Sequence, residues 1–186
     1  MRNLTLANQL TILRVVLIPA FVLLVVYEQL GAALTVFVVA GATDAFDGLV
    51  ARWTKHPTSL GAWLDPMADK LLLVTTFIVL TIPAIPLTNH LPIWLTVTVI
   101  SRDVVIVGVV AIVNLAIGPR TFRPSIWGKA ATATFILTSV AVMFFNYRHE
   151  KSLIVDAGIW LSLALTLVSS GHYFFKLRRL INEPHA

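Results

Sequence analysis

Between positions 44 and 69 the chain sets four aspartates, Asp44, Asp47, Asp65 and Asp69, among segments that are otherwise strongly apolar. An ionisable side chain in such a setting is costly and generally has a function. Asp44 and Asp47 are three residues apart, and Asp65 and Asp69 four apart. On a helix these spacings separate the members of each pair by about 60° and about 40° around the axis, so each pair shares one face. Two such faces turned together predict a cage of four carboxylates.

Carboxylate oxygens suit hard divalent cations such as Mg²⁺, Mn²⁺ and Ca²⁺, and four of them left unpaired at low dielectric would repel one another and take up protons. A cation removes that conflict. Because Mg²⁺ completes its shell with water and substrate phosphates, the ligand such a cage predicts is a nucleotide or a pyrophosphate. Two ions would stabilise both the attacking and the leaving oxygen of a phosphoryl displacement.

The elements that position these residues read as membrane helices. Of the 186 residues, 58% are hydrophobic and 12% charged, and the mean hydropathy is +0.86. A soluble domain carries about twice that charge fraction. Apolar runs cover roughly 10–27, 30–51, 60–82, 91–117, 126–145 and 153–177, each about the length a helical span requires. The breaks fall at the turn formers Gly31, Pro83, Pro86, Pro92, Gly118, Pro119, Pro124 and Asn146. The fold predicted is all-α, a polytopic membrane bundle of six transmembrane helices forming a single domain over residues 1–186.

Six spans leave both termini on one side of the membrane. That side carries Arg2, Arg52, Lys55, Arg120, Arg123, Lys129, Lys176, Arg178 and Arg179, against only Arg148 and Lys151 opposite, which predicts cytoplasmic termini and an aspartate stretch facing the cytoplasm. The N-terminal residues lack the pattern of a cleaved signal, so the first run is expected to stay in the mature protein. The net charge of +5 is read as attraction to anionic lipid and substrate; no basic run interleaved with aromatics suggests nucleic acid. The chain has no cysteine, which excludes disulfides and thiolate chemistry.

The aspartate stretch carries a resemblance. Asp44-x-x-Asp47-Gly48-x-x-Ala51-Arg52, eight residues, then Gly61-x-x-x-Asp65-x-x-x-Asp69 matches without gaps the signature of the CDP-alcohol phosphatidyltransferases of class I. The resemblance implies a six-helix integral membrane enzyme, usually a homodimer, that joins the phosphatidyl group of CDP-diacylglycerol to an alcohol and releases CMP with the help of Mg²⁺ or Mn²⁺, two ions in all. It implies Asp44, Asp47, Asp65 and Asp69 as metal ligands and Asp69 as the base for the acceptor hydroxyl, an assignment that spacing alone does not make. Gly48, Ala51 and Gly61 keep their helix faces low for the nucleotide, although helix packing accounts for either glycine taken singly. Arg52 offers a bidentate fork to a phosphate.

Asn8, Thr11 and Arg14 recur at three-residue spacing and resemble the N-x-x-T-x-x-R that borders the nucleotide pocket in many members. A helix cap at Asn8 and a snorkelling Arg14 account for them equally well. Lys70, Arg102, Arg120, Arg123 and Lys129 are candidates for binding an anionic acceptor. Charge balance at Lys70, a self-neutralising Arg102–Asp103 bridge and lipid anchoring at Arg120 and Arg123 are the plainer readings. Ser101-Arg102-Asp103-Val104 together with Pro124-Ser125-x-x-Gly128-Lys129-x-x-Thr132 is most similar to the CMP-forming cardiolipin synthase branch, whose acceptor is phosphatidylglycerol. The phosphatidylglycerophosphate synthase branch, with glycerol-3-phosphate as acceptor, is the alternative. It usually has a further arginine where this chain has Val110. From another class, a cation transporter also uses intramembrane carboxylates, but none of the expected inverted repeat is seen.

Overall fold

The computed structural model describes residues 6–54, 59–117 and 125–182, with only the backbone described for 6–8, 10, 44–54, 59–66, 110, 113–114, 116–117 and 176–182. The described residues form six helices and no strand: α1 Leu6–Val26, α2 Leu30–Thr54, α3 Ser59–Thr81, α4 Ile93–Ile117, α5 Ile126–Tyr147 and α6 Leu153–Asn182. These follow the six apolar runs to within a few residues. α5 and the Leu153–Phe175 part of α6 are each long and apolar enough to cross a bilayer, and Thr11–Val26 and Leu30–Thr43 are shorter apolar stretches.

The chain falls into two compact units. The first comprises residues 1–90 with 139–151 and the second residues 91–138 with 152–186. In the first unit α1 packs against both α2 and α3. Phe21 of α1 and Phe37 of α2, both buried, set their rings 5.9 Å apart. Such aromatic pairs add to the burial of their own large apolar area.

Two turns in this unit are built differently from the sequence expectation. Gly31 and Asn146 are read from sequence as turn formers, yet both are helical. The left-handed positions fall to Glu28, at φ 59°, and His149, at φ 55°. Each closes its helix with a paired 6→1 and 5→2 hydrogen-bond pattern: Gln29 N to Leu24 O (2.8 Å) and Glu28 N to Val25 O (3.0 Å), then Glu150 N to Phe145 O and His149 N to Asn146 O, both 3.0 Å. This is the Schellman arrangement, with a non-glycine residue where glycine is usual. Gly31 lies instead against Tyr147, where a Cβ would be 2.9 Å from the ring. Asn146 is buried within α5, where its amide accepts from Asn89 N at 2.7 Å and donates to Asn89 O at 2.8 Å. An internal amide of this kind replaces water for a loop backbone that cannot pair with itself.

In the second unit α4 packs against α6, and Trp94 and Trp160 meet with centroids 5.7 Å apart. The buried side of α6 includes Ser162, Thr166 and Ser169, whereas Leu153, Trp160, Leu167 and Phe174 are exposed. Burying small hydroxyl residues and exposing large apolar ones inverts the arrangement expected in water and is how helices associate in lipid. The packing is close: a Cβ on Gly158 would lie 2.8 Å from Thr138 Oγ1, and Thr138 and Ser162 share a hydrogen bond of 3.2 Å.

Candidate active site

All four aspartates lie in helices of the first unit. Asp44 and Asp47 are in the second half of α2, Asp65 and Asp69 in the first half of α3, so both spacings are helical ones as the sequence predicts. The side chains of Asp44, Asp47, Gly48, Ala51, Arg52, Gly61, Asp65 and Asn8 lie outside those described, and Arg120 and Arg123 lie outside the described residues altogether. Among the described residues no group of three potential metal ligands assembles, and only one of the four candidate carboxylates belongs to that set.

That carboxylate is tied to α1. Arg14 Nη1 donates to Asp69 Oδ1. The same guanidinium donates through Nε to the Ala40 carbonyl at 3.3 Å, and Thr43 Oγ1 donates to that carbonyl at 2.7 Å. Thr43 immediately precedes Asp44, so one arginine links the threshold of the first aspartate pair on α2 to the last aspartate on α3. Arg14 is 1% exposed and Asp69 41%. The guanidinium is therefore no snorkelling anchor: it is buried among α1, α2 and α3, where a cation is tolerated only with a counter-charge. The carboxylate keeps access to solvent and hence to a solvated ligand. A half-exposed carboxylate held in one orientation fits a hard-oxygen donor set.

The polarity pattern of α1 explains how Arg14 reaches this position. Thr11 is buried as well, three residues earlier and so on the same face. The three-residue repeat marks the face, but the partner 55 positions away has no local signature. Lys70, next to Asp69, is half-buried.

In the second unit, Arg102 Nη1 donates to Asp103 Oδ1 at 2.7 Å and Nη2 donates to Ser169 Oγ at 2.6 Å. The bridge between the two neighbours is present, as the plainer reading of this pair expects. Ser169 is an additional partner with no signal in the sequence beyond the small hydroxyl residues recurring along α6. Lys129 is exposed on the first turns of α5.

Two helices that carry acidic pairs at helical spacing, both bonded to one buried arginine of α1, place this chain among all-helical proteins with strongly apolar helices. Comparison with known proteins makes this specific. The profile of the CDP-alcohol phosphatidyltransferases matches residues 4–168, and the chain belongs to that family, whose members are embedded in membranes. It is 31% identical to the cardiolipin synthase (CMP-forming) of Homo sapiens, over 94% of this chain and 62% of that protein. It is 34% identical to a probable phosphatidylglycerophosphate synthase of Mycobacterium tuberculosis, over 87% of this chain and 75% of that one. The CDP-diacylglycerol–glycerol-3-phosphate 3-phosphatidyltransferase of Bacillus subtilis is 28% identical over 92% of this chain and 94% of its own length. The chain thus spans about three fifths of the human relative and nearly all of the Bacillus one.

Proposed function

We propose that this chain transfers the phosphatidyl group of CDP-diacylglycerol to the hydroxyl of phosphatidylglycerol, forming cardiolipin and releasing CMP. The observation that carries the reading is the gapless aspartate signature in a chain of this family, with its last aspartate held by the buried Arg14. Relatives named for cardiolipin synthesis support the acceptor. Transfer to glycerol-3-phosphate is the second reading, favoured by the match over 94% of the Bacillus enzyme's length. A cation transporter finds no support in this family membership.

In this mechanism Asp44, Asp47, Asp65 and Asp69 would hold Mg²⁺ or Mn²⁺, two ions, whose charge would neutralise the diphosphate and improve CMP as a leaving group. Asp69 takes the proton of the acceptor hydroxyl as its oxygen attacks the phosphatidyl phosphorus and the bond to the bridging oxygen of the diphosphate breaks. Arg14 orients that carboxylate through its hydrogen bond to Oδ1. Gly48, Ala51 and Gly61 leave room for the cytidine and its phosphates, Arg52 pairs with a phosphate oxygen, and Asn8 and Thr11 border the nucleotide. Lys70, Arg102, Arg120, Arg123 and Lys129 supply positive charge for an anionic acceptor.

Residues 1–186 would act as one catalytic domain crossing the bilayer six times, with both termini and the aspartate site in the cytoplasm, as the excess of lysine and arginine on that side suggests. The working unit would be a homodimer. The test is CMP release by the purified protein from CDP-diacylglycerol with Mg²⁺ or Mn²⁺ and either acceptor, the product identified by thin-layer chromatography. Cardiolipin is expected with phosphatidylglycerol, and Asp69→Asn is expected to stop turnover. Failure to release CMP with any alcohol would refute the proposal.

A further inference from the structure

The surroundings of Arg102 hold more than a bridge between neighbours. The side chains of Arg102 and Asp103 are 10% and 13% exposed. Arg102 Nε is buried and has no hydrogen-bond partner among the described residues. An orphaned N–H of this kind is expensive, and a guanidinium that served only to neutralise Asp103 would have no reason to carry one.

The first turn of α5 lies directly against this group. A Cβ on Gly128 would lie 3.3 Å from Arg102 Nη2, 3.3 Å from Ser125 Oγ and 3.7 Å from Ser169 Oγ. Ser125 caps the helix, its Oγ accepting from Gly128 N at 3.0 Å, so Gly128 sits where the backbone amides begin and the positive end of the helix dipole is felt. Arg102 therefore faces the positive end of a helix that also bears Lys129 at its start. Asp103 offsets one of these charges. The remaining positive potential, beside a guanidinium that keeps one donor unused, suits one more anion.

We propose that Ser169 and Gly128 are positioning residues for the acceptor. Ser169 fixes the Arg102 guanidinium through Nη2, and Gly128, lacking a side chain, lets it lie over the start of α5, where it receives the phosphate of the acceptor alcohol. This rests on the phosphatidyltransferase reading above and adds two residues that lie outside the aspartate signature. The recognised chemistry is a phosphate oxygen, carried either by a lipid head group or by free glycerol-3-phosphate.

The experiment measures KM and kcat of CMP release for the full chain in detergent–lipid micelles, with phosphatidylglycerol in one arm and glycerol-3-phosphate in the other. The variants are Ser169→Ala, Ser169→Thr and Gly128→Ala. Ser169→Ala is expected to raise the acceptor KM about tenfold, the scale of one hydrogen bond to a charged group, while kcat and the KM for CDP-diacylglycerol move less than about twofold. Ser169→Thr keeps the hydroxyl and restores the acceptor KM. Gly128→Ala crowds Nη2 and raises it again. A rise in the lipid arm assigns the site to a head group, and a rise in the soluble arm assigns it to the free phosphate. An unchanged acceptor KM in Ser169→Ala, or equal losses for both substrates that Ser169→Thr does not rescue, overturns the inference while leaving the transferase reading intact. A wild-type chain that releases no CMP in either arm overturns both.

Discussion

The Arg14–Asp69 pair is unequal in its burial, and that inequality makes the two halves respond differently to removal. In Asp69→Ala the guanidinium stays 1% exposed and loses this carboxylate partner. Breaking a buried pair from one side costs about 3–5 kcal/mol, and because Asp69 is 41% exposed and so partly screened, about 3 kcal/mol is the better figure. In Arg14→Met the buried charge disappears, a chain of similar length fills its place, and the carboxylate is left where water already reaches it. The loss should be about 1 kcal/mol, chiefly for the hydrogen bonds to Asp69 and Ala40. The double variant Arg14→Met/Asp69→Ala should be scarcely less stable than Arg14→Met alone, giving a coupling energy of about 2–3 kcal/mol.

For a chain of this size 1 kcal/mol corresponds to roughly 2–4 °C. Asp69→Ala should therefore lower the melting temperature by about 6–12 °C and Arg14→Met by about 2–4 °C on the same scale. Thermal unfolding in detergent, followed through the five tryptophans, reads these shifts directly. If Arg14→Met were at least as damaging as Asp69→Ala, or if the two losses simply added, the reasoning from burial would be wrong.

Other perturbations test separate parts of the molecule. Gly158→Ala should cost about 1–3 kcal/mol, because the new methyl meets the buried Thr138 side chain, and Thr138→Ala should relieve most of that loss in the double variant. Gly31→Ala, by contrast, should cost less than about 1 kcal/mol, since the exposed Tyr147 ring can swing aside and the helix gains alanine's higher propensity; melting curves of the three variants compare the two contacts. Asn146→Leu should destabilise by about 1–3 kcal/mol by stripping both partners from the Asn89 backbone, and faster amide exchange at Asn89 would localise the loss. Chelation with EDTA should abolish CMP release and either Mg²⁺ or Mn²⁺ should restore it; activity that persists in chelator would exclude the carboxylate cage as a metal site.

Much of this protein is legible in its sequence because long apolar helices announce themselves locally. Six apolar runs predict six helices to within a few residues, since an uninterrupted apolar run of that length is best satisfied by a helix, which pairs its own backbone. The aspartate signature is likewise a statement about short spacings, and it identifies the family from a single stretch of the chain. Turn positions were less legible. Glycine and asparagine are the usual left-handed residues, yet here Glu28 and His149 adopt that conformation while Gly31 lies under a tyrosine ring and Asn146 bonds a distant loop.

Tertiary structure alone decided what the isolated cations do. From sequence, Arg14 reads equally well as an interfacial anchor or as part of a pocket, and only the packing of α1 on α2 and α3 brings it to Asp69 and to the Ala40 carbonyl. Ser169 gains its hydrogen bond from Arg102 in the same way, from the packing of α6 on α4. Hydropathy and helical period describe one element at a time. The partner of a buried charge is chosen by whichever element closes over it, and that choice leaves no trace in local spacing.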